Sequence, residues 1–108
     1  LSFSHVRMMM NLVMMGIDCL PRGGVIHVRI RNEPVGLTIA LTCKGNRARL
    51  RPDIANGIKG IEPEDGWRPE TIQPLFAKII CDGLGGELTA SEKDETVIIM
   101  AAGIRAEG

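Results

Sequence analysis

Neither sign of charge is in excess in these 108 residues, since 13 Lys and Arg balance 13 Asp and Glu. No whole-protein field therefore draws the chain to nucleic acid or to an anionic membrane. The three cysteines, Cys19, Cys43 and Cys81, are odd in number, widely spaced and set among apolar residues. They make neither a disulfide framework nor a zinc spacing, and they read as reduced, buried thiols of a cytoplasmic protein. No apolar run reaches the roughly 18 residues that a membrane span needs, because Arg7, Asn11 and Asp18 interrupt the most apolar stretch. That stretch is not a signal peptide either. Repeats, low-complexity tracts and internal linkers are lacking, so residues 1–108 are expected to form one domain with a real but not generous core. The missing initiator Met points to a piece cut from a longer protein.

What is present is organised around the stretch from Ser4 to Gly24. Val6, Met9, Met10, Val13, Ile17 and Leu20 recur at three- and four-residue intervals, the period of a helix laid on a core. Pro21 stops it. A second apolar row, Met8, Leu12, Met15 and Cys19, leaves only a narrow polar stripe of Ser4, Arg7, Asn11 and Asp18. Such a helix needs cover on two sides, with methionine as an adaptable filler.

Next, Ile26, Val28 and Ile30 alternate with His27, Arg29 and Arg31, and after the turn at residues 32–36, Leu37, Ile39, Leu41 and Cys43 alternate with Thr38, Ala40 and Thr42. Period two predicts two half-buried strands, paired as an antiparallel hairpin. Pro52 opens a short helix to Ile58, with Gly60 past its end. A loop then runs to Arg68. Pro69 or Thr71 opens a third helix, whose Ile72, Leu75, Phe76, Ile79 and Ile80 share a face and whose cap is Gly83. Residues 86–91 and 96–102 read as a last pair of strands around the charged turn 92–95. The αββ(α)αββ order predicts an α/β (α+β) two-layer sandwich, a mixed sheet covered on one face by helices.

With that order in view, the run Asn11 to Gly24, the hairpin behind it and Gly85-Gly86-Glu87-Leu88 after the last helix resemble the ATP-binding domain of sensor histidine kinases, the Bergerat or GHKL fold. Within that group the chain most resembles the C-terminal domain of ChpT-type histidine phosphotransferases. The resemblance implies a first helix with two asparagines one turn apart, the second holding the magnesium ion of ATP. Here Asn11 fits the first position and Met15 occupies the second. A neutral thioether is a poor ligand for Mg²⁺, which demands oxygen. Where the family has an acidic, glycine-rich adenine motif, this chain has Cys43-Lys44-Gly45-Asn46-Arg47, keeping one glycine and losing the acid. Where a Gly-x-Gly loop would cradle phosphates, it has Thr71-Ile72-Gln73-Pro74. Each lost charge-assisted contact is worth roughly 1.5–3 kcal/mol. Three or four of them approach the roughly 8 kcal/mol of a micromolar complex.

The resemblance therefore implies no nucleotide, metal or other cofactor, and no catalytic residue in this chain. It implies that the longer protein relays phosphoryl groups between response-regulator receiver domains, through a histidine on a dimerising helical hairpin that would lie before Leu1. The other reading is an active GHKL-type ATPase or anti-sigma kinase with divergent motifs. A plain structural or dimerisation domain stays open as a third.

His5-Val6-Arg7 only faintly echoes a phosphorylated-histidine site, because it lacks the acidic neighbour. His27, between strand arginines, reads as solvated. Gly83-Leu84-Gly85-Gly86 follows a helix, so it is not a dinucleotide loop, which must open one. Lys44, Arg47, Arg49 and Arg51 are the candidates for contacting an acidic partner, unless Glu62, Glu64 and Asp65 pair with them. Trp67 either plugs the vacated cleft or stands exposed for recognition.

Overall fold

In the computed structural model, which describes residues 2–106, the first helix, α1, spans Phe3–Asp18 and is followed by a hairpin of β1 (Val25–Glu33) and β2 (Gly36–Lys44). Then come a short α2 (Pro52–Gly57), α3 (Gln73–Gly83) and a second hairpin of β3 (Glu87–Lys93) and β4 (Thr96–Ile104). The four strands form one sheet in the order β1-β2-β4-β3. Every neighbouring pair is antiparallel. The expected mixed sheet is thus corrected, and the connectivity explains how. The helical connection leaves β2 and β3 parallel to one another, but β4 turns back and pairs between them, so no parallel pair is in contact. The final turn is tight: Asp94 and Glu95 both take left-handed backbone angles, as the two-residue turn of a twisted hairpin requires.

Helix α1 starts earlier than expected because Ser2 caps it. The Ser2 hydroxyl accepts from the His5 N–H at 3.3 Å, and His5 Nδ1 accepts from the Ser2 N–H at 3.2 Å, a reciprocal capping box with histidine in the place usually held by Glu or Gln. The face of α1 that enters the core is Met8, Leu12, Met15 and Cys19, together with Gly16. Of the row expected to be the main core face only Leu20, beyond the helix, is buried. Val6, Met9 and Val13 are half-buried, while Met10 and Ile17 are exposed. The reason is a close approach at Gly16, where a Cβ would lie 2.9 Å from Cys43 Sγ. Only the side of the helix carrying that glycine can come so near β2.

The opposing sheet face presents Ile39, Leu41 and Cys43 of β2 and Val97, Ile99 and Ala101 of β4, all buried. Burying one such side chain contributes roughly 1.5–3 kcal/mol. Strand β1 pairs antiparallel with β2 as expected, with Ile26 opposite Cys43, Val28 opposite Leu41 and Ile30 opposite Ile39, and the pairing runs on to Glu33 and Gly36, so the turn is shorter than residues 32–36. Only Ile26 is half-buried, however, and Val28 and Ile30 remain exposed. As the outer strand, β1 extends past the helical layer.

Helix α3 also turns differently from the expectation. Pro74, Ala77 and Cys81 are buried, and Phe76 and Ile79 face outward. Two turns from Arg68 precede it, with the Thr71 and Ile72 N–H groups donating to the Arg68 carbonyl. Its left-handed stop is Gly85 at φ +78° rather than Gly83, with the Gly86 N–H donating to the Cys81 carbonyl at 3.0 Å. Among the described residues no helix is long and apolar enough to cross a membrane.

Candidate functional site

The positions that would serve a nucleotide lie in, or are tied to, the packed interior. Met15 is 1% exposed and Cys43 fully buried, both within the main core. Asn11 is half-buried, and its amide Nδ2 donates to the Arg7 carbonyl at 2.8 Å, so it bonds back onto its own helix. Gly45 has a structural reason to be glycine, since a Cβ there would meet the Gly23 carbonyl oxygen at 2.3 Å. The segment where a phosphate loop would stand ends in buried Pro74, packed so closely on Gly57 that a Cβ at Gly57 would lie 2.6 Å from Pro74 Cβ. Among the described residues no group of His, Cys, Asp and Glu is arranged to hold a metal ion.

Neither histidine is set up for phosphoryl transfer. His5 is buried, and because its Nδ1 accepts from Ser2, its Nε2–H is the donor to the Arg105 carbonyl at 2.6 Å. Both ring nitrogens are thus engaged in holding the two ends of the described chain together. His27 is exposed on the open face of the sheet. Trp67 is half-buried in its loop and does not line the hollow described next. All three thiols are free and buried. Burial pushes Cys19 and Cys81 up to about 11 and raises Cys43 as well, so at neutral pH they are protonated and poor nucleophiles.

The most prominent concavity lies at the C-terminal end of α1. It is a hollow of about 630 Å³ over Ile17, Asp18 and Pro21, rimmed by Arg22, Arg47, Arg49 and Arg51. Three of these arginines come from the candidate group. Lys44 does not join them, since it lies on the open sheet face in a separate hollow with Thr42, Lys93 and Ile98. Arg22 stands apart from that charge run in the sequence, and the signal for it is its place directly after Pro21, which stops the first helix.

The loop bearing Arg47, Arg49 and Arg51 is held by its backbone. The Glu95 carboxylate accepts from the Arg47 N–H, Glu92 accepts from the Leu50 N–H at 2.6 Å, and the Arg49 N–H donates to the Cys19 carbonyl at 3.1 Å. Two acids thus neutralise backbone donors while the guanidinium groups point elsewhere. Arg51 pairs with Asp53 at 3.1 Å. Among the described residues no carboxylate lies within ion-pair distance of Arg22, Arg47 or Arg49. The alternative pairing with Glu62, Glu64 and Asp65 does not occur, Asp65 instead facing Arg68 at 3.4 Å. Cations at a helix C-terminus are favoured by its exposed carbonyls, and planar guanidinium forks suit carboxylate or phosphate. The hollow is therefore suited to an anionic surface.

Residues 1–96 match the family described as Histidine phosphotransferase C-terminal domain. The chain is 23% identical over 98 residues to Protein phosphotransferase ChpT of Brucella abortus (strain 2308), covering 91% of this chain and 47% of that protein. A bacterial phosphotransferase solved at 1.7 Å superposes with a TM-score of 0.82 at 22% identity, over 91% of this chain and 48% of that one. The chain thus spans about half the length of the relatives it matches. With the match running from the first residue through α1, both helical connections and into the last strand, the chain belongs to the histidine phosphotransferase C-terminal domain family.

Proposed function

We propose that this chain is the non-nucleotide-binding, kinase-like domain of a histidine phosphotransferase that relays phosphoryl groups between the receiver domains of a two-component system. In this reading the relay histidine and the dimer contact reside in a helical hairpin outside residues 1–108. The observation that carries the reading is Met15, 1% exposed at the position where a kinase of the Bergerat fold would present its magnesium ligand. A thioether enclosed in the main core is closed off from a metal ion in solvent. Family membership and the phosphotransferase name of the relative support group transfer as the activity of the longer protein. The test is a calorimetric titration with Mg-ATP into the millimolar range, for which no saturable heat is expected. Magnesium-dependent saturation would reinstate the active-ATPase reading. Incubation of residues 1–108 with a phosphorylated receiver should likewise leave no label on the chain. Label on His5 or His27 would overturn the assignment of the relay histidine to another segment.

The arginine-rimmed hollow is the proposed receiver contact, because receiver domains carry an acidic phosphorylation pocket. Charges at the rim of an interface act chiefly on association rate and salt dependence. The expected result of Arg47→Glu with Arg49→Glu in the full-length protein is receiver association slower by about tenfold at low salt. The difference should shrink toward about 0.5 M salt, where the screening length is only a few Å. Stopped-flow binding across a salt series measures it. Equal rates at low salt would remove the hollow from the interface.

A further inference from the structure

The outward side of α1 carries Phe3, Arg7, Met10, Met14 and Ile17, spaced four, three, four and three residues apart. That spacing is the seam of one helix packing lengthwise against another. The four apolar members are large and open: Phe3 is 76%, Met10 57%, Met14 51% and Ile17 56% exposed. They do not belong to the core, which α1 builds from its opposite face. Helix α3 widens the strip. It runs antiparallel to α1, because Gln73 at its start donates to Met14 Sδ at 3.1 Å. At the other end Arg105, bonded to His5 near the start of α1, donates to the Gly83 carbonyl at the end of α3. Exposed Phe76 and Ile79 lie on this second helix. A continuous apolar strip of this kind on a protein surface marks an interaction site.

From the seam spacing we infer that α1 is the receiving half of a helix–helix contact, and that its occupant is an apolar helix of the part that precedes this domain in the longer protein. Two findings point to that occupant rather than to an unrelated partner. The matched family is a C-terminal domain and the chain spans about half the length of its relatives, so those relatives hold a comparable stretch ahead of it. The preceding chain would also enter at the capped start of α1 itself, beside Phe3. The seam from Phe3 to Ile17 is about 21 Å long, so a helix of roughly four turns covers it. Arg7, stacked over the Phe3 ring at 5.9 Å, sets the register, and an acidic residue in the layer facing it satisfies its charge. Ile17 closes the seam and also forms part of the floor of the arginine hollow. The docked helix would thus end beside the proposed receiver contact.

The proposal rests on the phosphotransferase reading only in assuming a longer protein, and its test does not depend on phosphotransfer. Methionine oxidation by peroxide, followed residue by residue with mass spectrometry, reports exposure directly. Met10 and Met14 are expected to oxidise about fivefold or more slowly in the full-length protein than in residues 1–108, with Met8 and Met15 slow in both. Met14→Glu, at an exposed site, should leave the melting temperature of residues 1–108 unchanged while raising Met10 oxidation in the full-length protein to the rate of the shorter chain. Equal Met10 and Met14 rates in the two proteins would overturn the proposal. So would protection that appears in residues 1–108 alone as their concentration rises, which would identify a second copy of this chain as the occupant. Receiver phosphotransfer measured on the same full-length samples reads the functional assignment separately.

Discussion

Met15→Asn is expected to destabilise the chain by about 4 kcal/mol, combining the lost burial of a large apolar side chain with the cost of an amide lacking partners in the core. For a domain of about 100 residues that corresponds to a fall in melting temperature of roughly 15–25 °C. The substitution supplies the residue type that the proposed kinase-like ancestry would place there, yet no gain of nucleotide binding is expected. Position 15 is 1% exposed within the main core, and the segment expected to cradle phosphate is folded onto α2 through Pro74 and Gly57. Thermal unfolding with and without Mg-ATP measures both parts. A variant as stable as the parent, or one stabilised by Mg-ATP, would show that position 15 opens to a ligand and would undo the proposed loss of the nucleotide site. Its isosteric companion Met15→Leu, which brings no amide, should cost less than about 1.5 kcal/mol and separates packing from polarity.

The second large effect is alkaline. Thiols ionise near 9.0 in their ordinary setting, whereas burial holds Cys19 and Cys81 up at about 11 in the folded chain. Between these values the unfolded chain has released protons that the folded chain still holds, so stability falls as pH rises. Their contribution is complete below pH 9 and diminishes toward pH 11, by roughly 2–3 kcal/mol for each thiol. Lysines also titrate in this range, so the informative comparison is with Cys81→Ala. At pH 8 the parent should be the more stable of the two in urea. By pH 11 that advantage should have narrowed by roughly 2–3 kcal/mol. A gap independent of pH would mean that Cys81 ionises as readily when folded as when unfolded. Native-state labelling with a thiol reagent at pH 8 should correspondingly wait on unfolding for all three cysteines, which keeps them out of any nucleophilic role.

Much of this molecule is written in periodicity. The period-two runs from Ile26 and from Leu37 predict the hairpin, and Pro52 marks the observed start of α2, while α3 begins at Gln73, a few residues after the expected Pro69 or Thr71. The proposed loss of magnesium and adenine ligands at Met15 and Cys43 rests on residue type, which the sequence displays directly. Period cannot decide which of two apolar rows on α1 faces the core, since Met8-Leu12-Met15-Cys19 and Val6-Met9-Val13-Ile17 satisfy it equally. The first row is the buried one, on the side where Gly16 comes close to Cys43, while Val6, Met9 and Val13 are half-buried and Ile17 is exposed. In the same way, alternation gives β1 an apolar face. Its place at the sheet edge, outside the helical layer, leaves Val28 and Ile30 exposed.

The arginine hollow divides along the same line. Composition supplied Arg47, Arg49 and Arg51, but local sequence neighbours could not show that Glu92 and Glu95 hold the loop by its backbone and, among the described residues, leave Arg47 and Arg49 without an ion pair. Arg22 joins them from the far end of α1, and Lys44 leaves them for the other side of the sheet. By itself, the sequence determined the elements and their pairing partners within hairpins, both of which follow from local spacing and side-chain type. The tertiary structure decided which faces are buried, the insertion of β4 between β2 and β3 and the convergence of four cations. Those depend on contacts between segments far apart in the chain, where one missing Cβ or one carboxylate on a backbone N–H settles the outcome.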